Sequence, residues 1–159
     1  MNINLVAVGN IKEKYFIDAI NEYKKRLSSY ANLKIWEISE YKLPNNPGDS
    51  KIFEGLEKEG ELILNKIPEK SFVIALCVEG KGFSSEEFSD KISECMINGY
   101  SDISFVIGGS YGLSEKVKST ANLRLSFSKM TFPHQLMRVI LLEQVYRGFR
   151  ILKNEPYHK

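Results

Sequence analysis

One uninterrupted apolar segment constrains the fold of this chain more than any other sequence feature. It is FVIALCV, the seven residues from Phe72 to Val78. Seven residues are too few to cross a bilayer, which needs about 20. A run of this length is typical of a strand that is buried on both faces, and such strands occur in parallel sheets covered by helices. The segment therefore predicts an α/β fold with a mainly parallel sheet flanked by helices.

Patterns typical of strands and helices alternate along the rest of the chain. Short apolar runs predict strands at 3–8, 33–38, 72–78, 103–107 and 123–127. Apolar residues at helical spacing predict helices at 12–27, 51–66, 84–98 and 134–152. This alternation favours a parallel sheet, and a length of 159 residues without repeats or linkers fits one domain covering residues 1–159.

Several local signals predict where these elements begin and end. Asp49 or Ser50 is suited to cap the second helix, and Ser84 with Glu87 forms the pattern of a capping box for the third. Pro133 suits the first turn of the last helix. The segment EGKG, residues 79–82, is interpreted as a turn.

Composition excludes several classes of protein. The chain is 43% hydrophobic and 26% charged, which is typical of globular proteins and excludes disordered and coiled-coil compositions. The N-terminus, MNINLVAVGN, has no basic segment and no cleavage site of a signal peptide. Cys77 and Cys95 are too few for a disulfide framework. We therefore expect a cytoplasmic protein that is not bound to a membrane.

The charge is distributed unevenly. The whole chain has a net charge of +2, whereas the segment from Thr120 to the end carries seven basic and two acidic residues. The last quarter is thus a candidate surface for an anion such as nucleic acid, although a solvated helix face explains the same charges.

The sequence contains no pattern typical of a metal site or of a common nucleotide-binding site. His134 and His158 lie far apart in sequence and neither has a second ligand at helical spacing, so no metal site is expected. The chain contains no P-loop, and Gly9 alone follows the first strand where a Rossmann site would carry three glycines.

The loop after the fourth predicted strand is a candidate ligand site. It is FVIGGSYGLS, in which three glycines allow the backbone to turn sharply and to approach a ligand. Two alternatives remain open. The loop could be a tight turn with Ser114 capping a short helix, or Ser110 in its G-x-S-x-G pattern could be the nucleophile of a hydrolase with His134 or His158 as its base.

A second candidate loop precedes the last helix. Residues 125–139, LSFSKMTFPHQLMRV, combine backbone hydrogen-bonding groups with apolar side chains at a strand end. Such a mixture suits a flat ligand such as adenine, although a simple strand-to-helix connection is also consistent with it.

The two loops and the C-terminal tail carry a family resemblance. IGGSYGLS, LSFSKMTFPHQLMRVILLEQVYRGFRI and the terminal PYHK resemble the bacterial ribosomal large subunit pseudouridine methyltransferase H family, a branch of the SPOUT superfamily. The resemblance extends from the opening VAVG to the last residue. It implies a SPOUT-type α/β knot, in which the C-terminal segment threads a loop to form a trefoil knot. It also implies a homodimer that uses S-adenosylmethionine to methylate N3 of a pseudouridine in 23S rRNA within the assembled ribosome.

The resemblance also implies site residues. Those expected to bind the cofactor are Leu76, Gly108, Phe127, Ser128, Lys129, Met130, Thr131 and Phe132. On the substrate side, the candidates are Arg147 as a cation for phosphate or a uracil carbonyl, Tyr157 for stacking, and His158 as a group that exchanges protons near neutral pH. For His158, a terminal residue without a role is the alternative.

Two further expectations concern assembly and function class. The last helix is apolar around more than one stripe, at Leu141, Leu142, Val145, Tyr146 and Phe149, which predicts a homodimer. We expect the tail of one subunit to complete the substrate site near the cofactor of the other. The competing hypothesis is a non-catalytic RNA-binding module that uses the basic last quarter, and the glycine-bearing loops favour the enzyme.

Overall fold

The computed structural model describes all 159 residues, with five strands alternating with five helices. The elements in chain order are β1 (Asn2–Val8), α1 (Lys14–Leu27), β2 (Asn32–Ile38), α2 (Asp49–Leu64), β3 (Phe72–Gly82), α3 (Ser85–Ile97), β4 (Asp102–Ile107), α4 (Glu115–Thr120), β5 (Leu123–Ser126) and α5 (His134–Leu152).

The five strands form one sheet in the order β2-β1-β4-β3-β5, and every neighbouring pair is parallel. On one face, α1, α3 and α5 cover a core of 18 buried residues that includes Leu5 and Phe105. On the other face, α2 and α4 cover nine buried residues that include Val6 and Val106. The sheet is thus buried on both sides, which confirms the predicted α/β architecture.

All five strands end at the same edge of the sheet, because all are parallel. After β1 the chain enters α1 on one face, whereas after the neighbouring β4 it enters α4 on the opposite face. The loops that leave β1 and β4 therefore diverge and open a crevice between them. In open α/β sheets, such crevices are where ligands bind.

The predicted turn at residues 79–82 is wrong, because β3 continues to Gly82. Both Leu76 and Lys81 pair with Leu125 on β5, so the strand shifts its register between these two residues. A Cβ atom at Gly80 would lie 2.7 Å from backbone atoms of Arg124 and Leu125. This glycine therefore permits a close approach of two strands rather than a chain reversal.

Most other boundaries fall within two residues of the prediction. The capping box of Ser84 and Glu87 is present, and α5 spans the predicted residues. The predicted cap of α2 is wrong, because Gly48 occupies the N-cap position and Asp49 is already helical. Ser114 caps the short helix α4, with its side chain accepting a hydrogen bond from the Val117 amide.

Most of the apolar residues of α5 pack into the core of the single chain. Leu141, Leu142, Val145 and Phe149 are buried in the core that α5 shares with α1 and α3. The width of this apolar face is therefore explained largely within the single chain, so these residues do not test the homodimer, which stays a prediction. Any support for a dimer must come from other surfaces.

No helix combines the length and the apolar character that crossing a membrane requires. The structure also contains no group of three His, Cys, Asp or Glu side chains placed to hold a metal ion. Cys77 and Cys95 are both free thiols.

Candidate functional site

A cleft of about 340 Å³ lies where β4 and β5 end, beside the middle of β3, which continues past it to Gly82. Three separate segments form most of its wall: residues 76–79 of β3, residues 107–113 at the end of β4 and after it, and the chain from 125 to 132. Lys118 of α4, with His134 and Met137 of α5, completes the wall. We refer to this cavity as the cleft.

The cleft brings together residues that are distant in sequence. Of the eight residues expected to bind the cofactor, seven line it: Leu76, Gly108, Phe127, Ser128, Met130, Thr131 and Phe132. Lys129 does not line the cleft, although it lies in the same loop. Both loops that the sequence singled out therefore border one cavity.

The glycines of the β4–α4 loop have a structural reason that the sequence did not reveal. A Cβ atom at Gly108 would lie 2.3 Å from the carbonyl oxygen of Gly112, because the loop folds back on itself there. Gly109 and Gly112 form an antiparallel bridge, and Gly112 has a positive φ of 81°. We expected Gly108 to be a glycine because a ligand approaches it. Contact with Gly112 already requires a glycine, so a Gly108→Val substitution would deform the loop as well as fill the cleft.

Most backbone groups of the loop from Phe127 to Phe132, which borders the cleft, have no partner in the protein. Outside the helices and strands, none of the backbone–backbone hydrogen bonds involves residues 127–132. Ser128 holds the turn by accepting a hydrogen bond from the Met130 amide at 2.9 Å, and its carbonyl accepts one from the Ser126 hydroxyl. Backbone amides and carbonyls that lack protein partners at a cavity wall are available to a ligand.

One ion pair lies on the wall of the cleft. Lys118 of α4 donates a hydrogen bond to Glu79 of β3, and this contact raises the pKa of Lys118 and lowers that of Glu79. Beside it, burial raises the pKa of the Cys77 thiol. Near neutral pH the cleft therefore carries one charge of each sign next to a neutral thiol.

Ser110 is not paired with a histidine. Its hydroxyl donates to Oε1 of Glu40 at 3.3 Å, whereas the ring of His158 contacts Arg147 and Glu86. His134 forms no side-chain hydrogen bond to Ser110, although both residues line the cleft. The nucleophile–base pair that a serine hydrolase requires is therefore not formed.

The three substrate-side candidates lie together in a second group, which we call the tail cluster: Glu86, Glu143, Arg147, Tyr157 and His158. Arg147 donates to Oε1 of Glu143 from both Nε and Nη2, at 3.0 and 2.6 Å. The Tyr157 hydroxyl donates to the same oxygen at 3.1 Å. His158 lies between Arg147 Nη1, 3.3 Å from its Nδ1, and Glu86 Oε1, 2.7 Å from its Nε2. These contacts hold the C-terminal tail against α3 and α5.

These contacts set the protonation of the tail cluster. Burial and the hydrogen bond to Glu143 raise the pKa of Tyr157 to about 12, so its phenol keeps its proton at neutral pH. The bond to Glu143 also raises the pKa of Arg147. Because Glu143 occupies two of its nitrogens, the Arg147 guanidinium is not the free anion-binding fork that we expected.

None of the residues of the tail cluster lines the cleft of its own chain. Three charged residues with defined contacts were not predicted from the sequence: Glu86, Glu143 and the buried Arg138. Glu143 lies four residues before Arg147, so helical spacing is the signal that predicts that pair. No local signal links Glu86 to His158, because 72 residues separate them.

Comparison with known proteins places these features in a family. Residues 1–158 match the family model described as "Predicted SPOUT methyltransferase". Proteins named ribosomal RNA large subunit methyltransferase H from two strains of Clostridium botulinum, Okra and Hall, are 60% and 59% identical over the full length of both chains.

A solved structure shares the fold at much lower sequence identity. A probable methylase family protein from Haemophilus influenzae Rd KW20 aligns with a TM-score of 0.55 and 13% identity. The alignment covers 99% of this chain and 70% of that one. This likeness shows the shared fold alone, whereas the family match and the full-length relatives show that the chain belongs to the SPOUT methyltransferases, in the family of ribosomal RNA large subunit methyltransferase H.

Proposed function

We propose that the protein transfers a methyl group from S-adenosylmethionine to N3 of a pseudouridine in 23S rRNA, within the assembled ribosome. The observation that carries the proposal is the cleft, which collects seven predicted cofactor residues from three separate segments. The names of relatives at about 60% identity over the full chain support a methyltransferase that acts on ribosomal RNA.

The residues of the cleft fit S-adenosylmethionine. A volume of about 340 Å³ lies within the range of small-molecule sites. Leu76, Phe127 and Phe132 provide apolar surface for the adenine ring, and the free backbone groups of residues 127–132 can hydrogen-bond to its edge. Lys118 and Glu79 provide opposite charges for the carboxylate and the amino group of the methionine part.

The chemistry requires a proton to be removed from the acceptor. When bound, the cofactor supplies a methyl group on an activated sulfonium. N3 of the acceptor is an imide nitrogen that loses its proton as it is methylated. A base positioned beside N3 accelerates such a step by about 10²–10⁴-fold.

Of the three substrate-side candidates, His158 is best suited to accept this proton. Tyr157 holds its own proton up to a pKa of about 12, and Arg147 is a permanent cation. A neutral imidazole has one ring nitrogen that can accept a proton, and the contacts of the ring with Glu86 and Arg147 fix its orientation. In this proposal, Arg147 stabilises the developing negative charge and Tyr157 positions Arg147, whose guanidinium carbon lies 4.7 Å from the centre of its ring.

A homodimer would bring the tail cluster to a cleft. Because the tail cluster does not line the cleft of its own chain, we propose that the tail of a second copy faces it. Three apolar side chains of the cleft wall support such an interface, since Val78, Met130 and Phe132 are 51%, 74% and 38% exposed.

Thermal denaturation with and without S-adenosylmethionine tests the first requirement of the proposal. A ligand at 100 times its Kd stabilises the folded state by about 2.7 kcal/mol, so a clear rise in Tm is expected. S-adenosylhomocysteine, which shares the adenine and amino acid parts, should also stabilise the protein. If neither compound changes Tm at millimolar concentration, the protein is not a methyltransferase of this kind, and a non-catalytic RNA-binding module becomes the better explanation.

A further inference from the structure

A second cavity, of about 870 Å³, adjoins the cleft and has no role in the function proposed above. We call it the groove. Its walls come from the loops after β1, β2 and β4, from the inner face of α2, and from Gln135 at the start of α5. Ser110 and Tyr111 line both the groove and the cleft, so a single loop separates the two cavities.

The topology places the groove where a ligand is expected. Gly9 and Asn10 follow β1, Ser110 and Tyr111 follow the neighbouring β4, and all four line the groove. The helices after these two strands lie on opposite faces of the sheet. The groove is therefore the crevice at the point where the strand order reverses, which is the usual ligand position in open α/β sheets.

The wall of the groove contains a buried carboxyl group with unused hydrogen-bonding capacity. Glu59 of α2 is only 7% exposed, and its Oε2 accepts a hydrogen bond from the Tyr41 amide at 3.0 Å. Its other oxygen has no partner in the protein. Burial raises the pKa of Glu59, and the charge of Glu40 raises it further. This second oxygen is not fully buried, so it can accept a hydrogen bond from a ligand N–H or O–H that enters the groove.

A second carboxylate lies where the groove meets the cleft. Glu40 is exposed, and its Oε1 accepts the hydrogen bond from Ser110, the residue that borders both cavities. Its Oε2 has no partner in the protein. Two carboxylates with free oxygens therefore face one groove, and such a groove favours a ligand that donates hydrogen bonds.

We propose that the groove receives the target pyrimidine and that Glu40 accepts a hydrogen bond from its N1–H; this inference rests on the proposed function. Pseudouridine is joined to its ribose through carbon, so its N1 carries a hydrogen that uridine lacks. A fixed acceptor for that hydrogen distinguishes the two nucleosides, because uridine leaves the carboxylate unpaired. N3 lies two ring positions from N1, so the ring can present N3 to the cleft while N1 meets Glu40 at the shared wall.

Other groups of the groove suit a nucleotide. Tyr111 is 51% exposed and offers a ring on which a displaced base can stack. Lys12 and Lys42 also line the groove and are exposed, as contacts to flanking phosphates require. Glu59 is the acceptor for a second donor of the same nucleotide, such as a ribose hydroxyl.

The test compares methylation of ribosomes that carry pseudouridine or uridine at the target position, the latter purified from cells without the pseudouridine synthase. The measured quantity is the ratio of the two initial rates, for the wild type and for Glu40→Ala. We expect the substitution to lower this ratio by about 10-fold or more, because a hydrogen bond to a charged group is lost only with pseudouridine. Glu61→Ala, on the exposed side of α2, is the control and should keep the wild-type ratio. An unchanged ratio in Glu40→Ala would overturn the proposal, since a merely structural role lowers both rates equally.

A binding measurement separates failure of this inference from failure of the proposed function. Pseudouridine 5′-monophosphate is titrated into the wild type, and amide NMR shifts of Gly9, Tyr41 and Tyr111 are followed. We expect these amides to shift, and to shift less in Glu40→Ala or with uridine 5′-monophosphate. If they shift in this way while ribosomes are not methylated, the groove assignment holds and the proposed function fails. If ribosomes are methylated and none of these amides shifts, the groove assignment fails alone.

Discussion

The guanidinium of Arg138 lies 2.8 Å from the carboxylate of Glu37, which joins the last helix to the second strand across 101 residues of sequence. The Arg138 side chain is 1% exposed, and its Nη2 also donates to the carbonyl oxygens of Val8 and Gly9. A buried cation thus ties α5 to the carboxyl ends of β1 and β2. Because α5 starts directly after the loop of residues 127–132, Arg138 also helps to fix one wall of the cleft.

Replacing this cation should destabilise the protein strongly. Arg138→Met removes the donor to the two carbonyl oxygens and the cation beside Glu37, whose half-exposed carboxylate keeps its hydrogen bond from the Ile11 amide. We expect a loss of about 2–3 kcal/mol, within the range for hydrogen bonds to a charged group. Urea denaturation measures the change in the free energy of unfolding. The control is Arg26→Met, which removes an exposed pair with Glu22 and should change the free energy of unfolding far less. Equal effects of the two substitutions would show that burial of Arg138 contributes nothing.

Two methionines provide a matched test of the cleft. Met130 lines the cleft, whereas Met96 lies near the end of α3 and does not. Met130→Ala should weaken binding of S-adenosylmethionine by roughly 10-fold, because burying a methionine side chain contributes about 1.5–3 kcal/mol when complete. Isothermal titration calorimetry gives the two affinities. Equal affinities of Met130→Ala and Met96→Ala would indicate that the cofactor does not bind in the cleft.

The phenol of Tyr157 should titrate well above a free tyrosine. Its pKa is raised to about 12 from 10, so the folded state binds this proton more tightly than the unfolded state. The resulting stabilisation is complete below pH 10 and is lost as the pH rises toward 12. Ultraviolet difference titration of the wild type against Tyr157→Phe isolates this group. A transition near pH 10 would indicate that Glu143 and burial do not act on it.

The tail should act on methyl transfer rather than on cofactor binding. Arg147→Ala and deletion of residues 157–159 are each expected to reduce the rate on ribosomes while leaving the Kd for S-adenosylmethionine unchanged, because we assign these residues to the substrate and not to the cofactor. A weaker Kd in either variant would contradict that assignment. Lys153→Ala, at an exposed position just after α5, is the control.

Mixing subunits tests whether the tail acts across a dimer. A variant with a blocked cleft and the tail-deleted variant are each expected to be inactive, and the mixture should recover part of the activity through heterodimers. Sedimentation should show a dimer at micromolar concentration. A stable monomer, or a mixture without recovered activity, would contradict a site formed by the tail cluster of one subunit and the cleft of the other.

The sequence predicted the elements of the fold better than their arrangement. α5 was predicted with its observed bounds because Pro133 and a long apolar repeat mark it clearly. The end of β3 was missed, because glycines that permit close strand packing look like turn glycines in sequence. The strand order was not predicted, since no local pattern states which strands pair.

For the candidate site, too, the residues were predicted better than their arrangement. The resemblance in two loops predicted residues that line one cleft, but the role of Gly108 differed, because the clash with Gly112 depends on how the loop folds. Arg138 belongs to the basic last quarter of the sequence, and only the tertiary structure shows that it is buried. Contacts such as that of Glu86 with His158 join distant elements, so the spacing of residues in the sequence does not predict them.

The most direct test of the proposed function is to map the methyl group that the protein transfers. Ribosomes lacking the modification, and the same rRNA hairpin as free RNA, are incubated with the protein and isotopically labelled S-adenosylmethionine, and the nucleosides are identified by mass spectrometry. We expect labelled 3-methylpseudouridine from the ribosomes and little from the hairpin, because seven basic residues in the last quarter of the chain provide mainly non-specific attraction to RNA. Label on a different nucleoside, or no label in the ribosomes, would contradict the proposed function.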